Sequence, residues 1–313
     1  MLSSVILSNG MLDESKLYKR EKIYQGMNGK YIERFYLSEN DSYIFKPLTN
    51  EAQQGKEAWV QENILGDFPD FYPKILAKSN SERAEDSWLI LEDLGNLQHE
   101  DSEDIVKEVT KWMSWWHQYP SQKLFHESLQ GQKPSIDHMI AEIVLKKERV
   151  FEVVKEMDVE PTMIEMVYQI LLNQKFLEDL VFSHGDLHLG NYVKVGERIC
   201  ILDWEHAHLN LPYWDLYHLL ELSHPLFPKT ITREYRQQML DYYCELRCDS
   251  LTLEAVDFKK EYYIFATAFS IWMLLLIQAD LQDKNGKWTV EQLERELDET
   301  KLSLTQCVAE LIE

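Results

Sequence analysis

Cysteine is scarce in this chain: 313 residues hold four, Cys200, Cys244, Cys248 and Cys307, with no CxxC pair and no small-scaffold spacing. That usage argues against a disulfide-stapled secreted module and reads as free thiols in a reducing compartment. Cys244 and Cys248, four residues apart on one helical turn, are poorly placed for a disulfide. Basic residues are outnumbered, 32 Lys and Arg against 54 Asp and Glu, for a net charge of −22. A field of that sign repels phosphate backbones and anionic bilayers, so neither nucleic acid nor membrane is expected as a partner. A membrane-length apolar run is also missing. The uncharged stretch Tyr262 to Ile277 has 16 residues, short of the ~20 a bilayer needs, and its acidic flanks favour a buried core helix. The opening MLSSVILSNGMLDESK lacks a basic n-region and a convincing cleavage site, and a cytoplasmic location is the expectation. With 11 glycines and 9 prolines the chain is neither collagen-like nor of low complexity.

What is present is a chain long enough for about two domains, with 45% apolar residues to build their cores. Lys22–Gln25, Tyr31–Leu37, Tyr43–Leu48, Phe71–Ala77 and Trp88–Leu94 are rich in β-branched and aromatic residues, and turn formers such as Met27-Asn28-Gly29 and Glu39-Asn40-Asp41 separate them. Between the third and fourth, Glu51–Leu65 lacks proline and stops at Gly66, which predicts a helix. From about residue 100 the apolar spacing becomes helical, over Ile105–His117, Ile136–Val154, Pro161–Leu180, Trp214–Ser223, Ile231–Leu246 and Asp257–Leu281. Thr289-Val290-Glu291-Gln292 has capping-box form and opens a last helix. Strand-like segments return at Asn191–Val195 and Ile199–Asp203. The expected architecture is α+β, with a small five-stranded antiparallel sheet and one helix over residues 1–94 and a mainly helical lobe over 95–313.

Two blocks carry the densest polar information, Ser183-His184-Gly185-Asp186-Leu187-His188-Leu189-Gly190-Asn191 and Ile201-Leu202-Asp203-Trp204-Glu205. Phosphoryl transfer needs an aspartate to orient the attacking hydroxyl and oxygen ligands for Mg²⁺, a set that Asp186, Asn191 and Asp203 supply. The five-residue step from Asp186 to Asn191 is also that of the protein-kinase catalytic loop, and a second aspartate just past a following strand sits where the DFG aspartate does. A kinase further needs a lysine on its third strand. Lys46 fits, on the strand face opposite Tyr43 and Phe45. Its partner glutamate is Glu57 by helical stripe, with Glu62 and Glu51 as competitors.

HGDLHLGN followed by ILDWE resembles the aminoglycoside phosphotransferase and choline kinase family, the small-molecule branch of the protein-kinase-like fold, over about residues 20 to 280. The resemblance implies a two-lobed fold and Mg²⁺-dependent transfer of the ATP γ-phosphoryl group to a small-molecule hydroxyl. It implies Asp186 as catalytic base, His184 as a loop-shaping residue, and Asn191 and Asp203 as metal ligands. Lys46 and Glu57 would hold the phosphates, and backbone groups from Glu92 to Leu94 the adenine edge. The turn Gly26-Met27-Asn28-Gly29 takes the place of the nucleotide-covering loop without a full GxGxxG. Aminoglycosides, choline-like amines and sugars stay open as acceptors. The acidic balance favours a cationic one, for which Glu205, Glu221 and Asp280 are the first residues to inspect. Asp215 matches a family position and is read as bonding to the catalytic segment, with substrate contact as the alternative. Trp112, Trp115, Trp116 and His117 read as core packing. His188, His206, His208 and His218 read as surface or substrate-cleft residues rather than a zinc site, because Gly185 and Gly190 break the helix that His-x-x-x-His would need. The other class of function is a kinase-like structural or binding protein, such as a spore-coat-associated branch with little or no catalysis, which the intact catalytic positions disfavour.

Overall fold

The structure, a computed structural model, describes residues 2–26, 28–120, 124, 126–130, 134–155, 161–177, 179–283 and 286–312. Met27 of the expected turn and Glu178 of the expected helix 161–180 lie outside them. The chain begins with strands β1 (Lys19–Gln25), β2 (Tyr31–Ser38) and β3 (Asp41–Pro47), helix α1 (Lys56–Asn63), and strands β4 (Ile75–Lys78) and β5 (Trp88–Glu92). Helices α2 (Glu103–Trp116), α3 (Ile136–Leu145), α4 (Lys147–Val154) and α5 (Pro161–Asn173) follow, then four short strands, β6 (Val181–Ser183), β7 (Tyr192–Val195), β8 (Arg198–Ile201) and β9 (His208–Asn210). The rest is helical: α6 (Tyr213–Leu220), α7 (Arg233–Leu246), α8 (Ala255–Gln282) and α9 (Val290–Ile312). Two compact units result, residues 1–98 with 191–207, and residues 99–190 with 208–313.

In the first unit β1 to β5 form one antiparallel sheet in the order β1-β2-β3-β5-β4. Pleat alternation sends Phe35, Phe45, Trp88 and Ile90 to one face, where Val5 and Leu12 of the N-terminal segment close a buried cluster. The Tyr43 ring stacks on Phe35 there, with centroids 5.5 Å apart. Lys46, one residue on from Phe45, faces the other way. The predicted helix over 51–65 is divided: a single 3₁₀ turn covers Glu51–Gln53, and Gly55, at φ +73°, re-aims the chain before α1 starts afresh. β4 begins at Ile75 rather than Phe71, because Pro73 has no N–H for a ladder. Phe71 and Tyr72 are buried instead, and the Phe71 carbonyl accepts the Ile201 N–H at 2.7 Å. β7 and β8 pair as a hairpin within this unit.

The second unit holds the remaining helices and the β6–β9 pair, strands of three residues each and too short for their alternation to register in the sequence. α5 stops at Asn173, seven residues before the predicted end, where the Asn173 side-chain amide takes the Gln169 carbonyl at 2.7 Å. α9 opens on the expected box: the Thr289 N–H donates to Gln292 Oε1 at 3.0 Å and the Gln292 N–H to Thr289 Oγ1 at 3.2 Å. α8 is long and apolar enough to cross a membrane by length and composition. In this fold its residues from Tyr262 to Ile271 are buried, and it packs on α9 and α3, as a core helix does.

Glu221, at the end of α6, does not await a basic acceptor. It is fully buried and takes Arg236 bidentately, at 2.5 and 2.8 Å, together with the hydroxyls of Tyr262 at 2.7 Å and Ser303 at 2.6 Å. Burial alone would raise its carboxyl, but Arg236 holds it below the usual range. Asp280, the other candidate in this unit, is exposed. Arg236→Ala leaves a buried carboxylate uncompensated and is expected to cost about 3–5 kcal/mol. Urea denaturation reads this directly, and an unchanged midpoint contradicts it.

Candidate active site

In the first unit three acidic side chains converge on Lys46. The pleat turns its side chain toward α1, where Nζ lies 2.6 Å from Glu57 Oε2 and 2.6 Å from Asp203 Oδ1. Glu205 Oε2 is a third neighbour at 3.2 Å. Of the competing glutamates, Glu62 pairs instead with Lys78 at 2.5 Å, and Glu51 lies in the 3₁₀ turn before α1. Burial would depress Lys46, but Asp203, Glu57 and Glu205 together hold its ammonium well above the ordinary lysine range. Glu57 is pushed up, first by burial and then by Asp203 against the pull of Lys46. Glu205 rises to about 7 for the same reasons.

Asp203 follows β8 at φ +63° and ψ +61°, the one non-glycine residue with positive φ among the described residues. Aspartate tolerates that conformation, and such strain concentrates at functional sites. The hairpin sets its neighbour: the Leu202 N–H donates to the Asn191 carbonyl at 2.8 Å, so Asn191 and Asp203 stand at the same open end of β7–β8. Ligand atoms of Glu57, Asp203 and Glu205 lie within 4.8 Å of one another. An all-oxygen donor set of this charge suits a hard divalent ion such as Mg²⁺ rather than zinc. At the end of β5, the Glu92 N–H is taken by the Lys74 carbonyl at 2.9 Å. Arg34 clamps the following segment, with Nε 2.7 Å from Asp93 Oδ2 and a terminal nitrogen 2.5 Å from the Gly95 carbonyl, and Leu94 lies between them.

In the second unit β6 delivers the chain to Asp186 through a turn built on Asp215 of α6. Asp215 is fully buried and accepts from Ser183 Oγ at 2.6 Å, from the His184 N–H at 2.8 Å and from the Gly185 N–H at 3.0 Å. Trp116 Nε1 donates to it at 3.2 Å and His117 Nε2 stands at 3.1 Å. Gly185 needs no Cβ at φ +83°, and its carbonyl accepts the Trp214 indole N–H at 3.0 Å. Burial by itself would raise Asp215; its donors, His117 foremost, hold it far below the usual carboxylate range. The expected bond from Asp215 to the segment leading to Asp186 is thus present. His184 is fully buried, and its Nδ1 accepts the Asp186 N–H at 3.2 Å.

Asp186 keeps a quarter of its side chain exposed, with His188 Nε2 3.8 Å from one oxygen and His218 Nε2 3.9 Å from the other. Both histidines are buried, which excludes the surface half of their surface-or-cleft reading. His208 is buried as well and lies edge-on to Trp214 at 5.5 Å. Of the tryptophans read as core, Trp116 is; Trp115 is exposed, since it projects from the outer side of α2. Glu205 was read in the sequence as a candidate for a cationic acceptor, two residues after Asp203, and the structure places it on Lys46 instead. Its place on Lys46 comes from the 3₁₀ turn Trp204–His206, which reverses the chain against α1.

The phosphotransferase enzyme family matches residues 72–256, which is 185 of the 313 residues. No curated protein matches the chain in sequence. Among solved structures, choline kinase from Cryptosporidium parvum is similar with a TM-score of 0.57 and 16% identity, over 97% of this chain and 92% of that one. An aminoglycoside phosphotransferase from Ralstonia eutropha, so described without proof of activity, gives 0.58 and 13% over 94% and 95%. Spectinomycin phosphotransferase, solved with ADP and spectinomycin, gives 0.55 and 13% over 93% and 94%. These likenesses establish the two-part, protein-kinase-like fold that the motifs implied. Because the matched stretch is more than half the chain and contains both the loop of Asp186 and the segment of Asp203, the chain belongs to the phosphotransferase enzyme family.

Proposed function

We propose that the protein transfers the γ-phosphoryl group of ATP to a hydroxyl of a small molecule, with Mg²⁺ required. The observation that carries this reading is the convergence of Glu57, Asp203 and Glu205 on the buried Lys46 ammonium. A lysine kept charged by a helix glutamate is what a kinase uses on the α- and β-phosphates. Glu57 aims Lys46, and Lys46 binds the phosphate oxygens. Asp203, with Asn191 beside it and Glu205 on the following turn, would hold Mg²⁺, which when bound neutralises charge on the transferring phosphates. Asp186 orients the acceptor hydroxyl and accepts its proton, and His184 holds the backbone N–H of Asp186. Backbone groups from Glu92 to Leu94 meet the adenine edge. The net charge of −22 supports a cationic acceptor, the class to which choline belongs in the choline kinases of the same fold. The free cysteines support a reducing, cytoplasmic setting.

ATP with Mg²⁺ is expected to stabilise the fold, by about 2.7 kcal/mol at 100 times its dissociation constant. Asp203→Ala is expected to remove the Mg²⁺-dependent part of that stabilisation. An ATP-consumption assay across choline-like amines, aminoglycosides and sugars then identifies the acceptor. Neutral sugars turned over in preference to amines would reject the cationic class. No stabilisation by ATP and no turnover would overturn the proposal and favour a structural role.

A further inference from the structure

The two histidines beside Asp186 present opposite faces to it. At His188 the Gly190 N–H donates to Nδ1 at 3.0 Å, so Nδ1 carries the lone pair and, in the neutral ring, Nε2 carries the proton. At His218 the partner of Nδ1 is the Trp214 carbonyl at 2.8 Å, which can only accept, so Nδ1 carries the proton and Nε2 the lone pair. Nε2 of His188 therefore offers Asp186 a donor, and Nε2 of His218 offers it an acceptor. A donor beside a carboxylate favours its ionised form; a lone pair beside it has use only once that carboxylate holds a proton.

We propose that His218 is the residue to which Asp186 hands its proton during phosphoryl transfer, an inference that rests on the phosphotransferase reading above. As the acceptor oxygen bonds to the γ-phosphorus, the bond from that phosphorus to the β,γ-bridging oxygen breaks and its electron pair leaves on the nucleoside diphosphate. The acceptor's O–H proton passes to Asp186 and then to Nε2 of His218. The imidazolium so formed faces the regenerated Asp186 carboxylate, through which the proton later reaches solvent. His218 acts through Asp186 and is in that sense a positioning residue for its proton. The separation of 3.9 Å is of the kind that tightens when substrate is bound.

The surroundings hold this ring in place. It stacks on Trp214 with centroids 5.2 Å apart and meets Phe269 of α8 edge-on at 5.5 Å. Several charged or titratable groups face it or its helix. Asp186 lies on the loop after β6, with His188 beyond it. Lys229, from the segment before α7, bonds the carbonyls of His218 and Leu219 and is lowered to about 8 by burial. Its own helix adds Asp215 and Tyr217, with Glu221 just past the end, while α8 contributes the Phe269 ring. His224 stacks on His188 at 4.7 Å and is pushed down to about 4, mainly by burial, so at neutral pH it adds no charge.

Two measurements on the whole 313-residue chain test the relay. In ¹⁵N-histidine spectra, His218 is expected as the Nδ1–H tautomer and His188 as the Nε2–H tautomer; an Nε2–H tautomer at His218 overturns the proposal whether or not any variant folds. In the pH profile of turnover with MgATP, first with water as acceptor and then with the acceptor found in the panel, His218→Asn keeps an N–H for the Trp214 carbonyl but has no titrating nitrogen. It is expected to lower kcat about tenfold or more, to move the acid limb by about one pH unit or more, and to leave KM for MgATP within about twofold. An unmoved acid limb beside intact turnover rejects the relay alone. Absence of any turnover that depends on Asp186 rejects the phosphotransferase reading and the relay together.

Discussion

Asp186→Ala is expected to lower phosphoryl transfer by about 10²- to 10⁴-fold while ATP binds as tightly as before. The separation of effects follows from position. Asp186 belongs to the second unit and has His188 and His218 about its carboxylate, whereas the lysine and acids proposed to hold the nucleotide and metal are gathered on β3, α1 and the segment that follows β8 in the first unit. A base serves the acceptor, so its loss appears in kcat and leaves nucleotide-dependent stabilisation untouched. Single-turnover kinetics with a thermal-shift titration of MgATP measure both quantities. Equal turnover in the variant would remove Asp186 from its role, and lost ATP binding would move that role to the nucleotide.

Asp215→Ala carries the second large effect, on stability and on the shape of the Asp186 loop together. One buried carboxylate gathers the Ser183 hydroxyl, the N–H groups of His184 and Gly185, the Trp116 indole and the His117 ring. His117 is itself tied to Tyr243 at 2.7 Å, and Tyr243 to Arg247 at 2.8 Å, so α2, α6 and α7 meet at this point. Burial holds His117 below its ordinary value, against the pull of Asp215. Removing Asp215 leaves several buried donors without an acceptor, at an expected cost of about 3–5 kcal/mol and a fall in Tm of about 6–10 °C. The sign of the pH dependence is set by the lowered carboxyl of Asp215. A depressed folded-state value stabilises the protein above the unfolded value of about 3.9 and loses that contribution as pH falls below it. Scanning calorimetry at neutral pH and between about pH 4 and 2 should show a wild-type acid limb that Asp215→Ala blunts. A variant with unchanged Tm and an unchanged limb would reduce Asp215 to a bystander.

Much of this was legible residue by residue. Lys46 could be put on a strand face opposite Tyr43 and Phe45 because the period of a strand is two, and the packing of Phe35, Phe45 and Tyr43 follows that alternation. The box at Thr289 and Gln292 is a local hydrogen-bond pattern, complete within four residues. Glu57 was preferred to Glu51 and Glu62 on helical phase, and that preference held even though the helix proved shorter, because Gly55 restarts it two residues before Glu57. Elements shorter than one period were illegible. β6 and β9 have three residues each, and the stop of α5 depends on a side-chain amide reaching back to a carbonyl.

Charge partners were beyond the sequence for a different reason. Glu205, Glu221 and Asp280 read alike as acids in a chain with an acidic surplus, and all three were candidates for one role. The fold separates them: Glu205 on Lys46, Glu221 on Arg236, Asp280 in solvent. Likewise nothing in the string Asp186-Leu187-His188 or Asp215-Leu216-Tyr217-His218 says which imidazole nitrogen bears a proton, since that is set by whether a backbone N–H or a carbonyl faces Nδ1. By itself the sequence determined the fold class and the family, and it nominated Lys46, Asp186, Asn191 and Asp203 as candidates, because periodicity and fixed spacings are local and survive without contacts. Only the tertiary structure decided the partners, burial and proton states of those groups, because each depends on residues up to 157 positions away, as Asp203 is from Lys46.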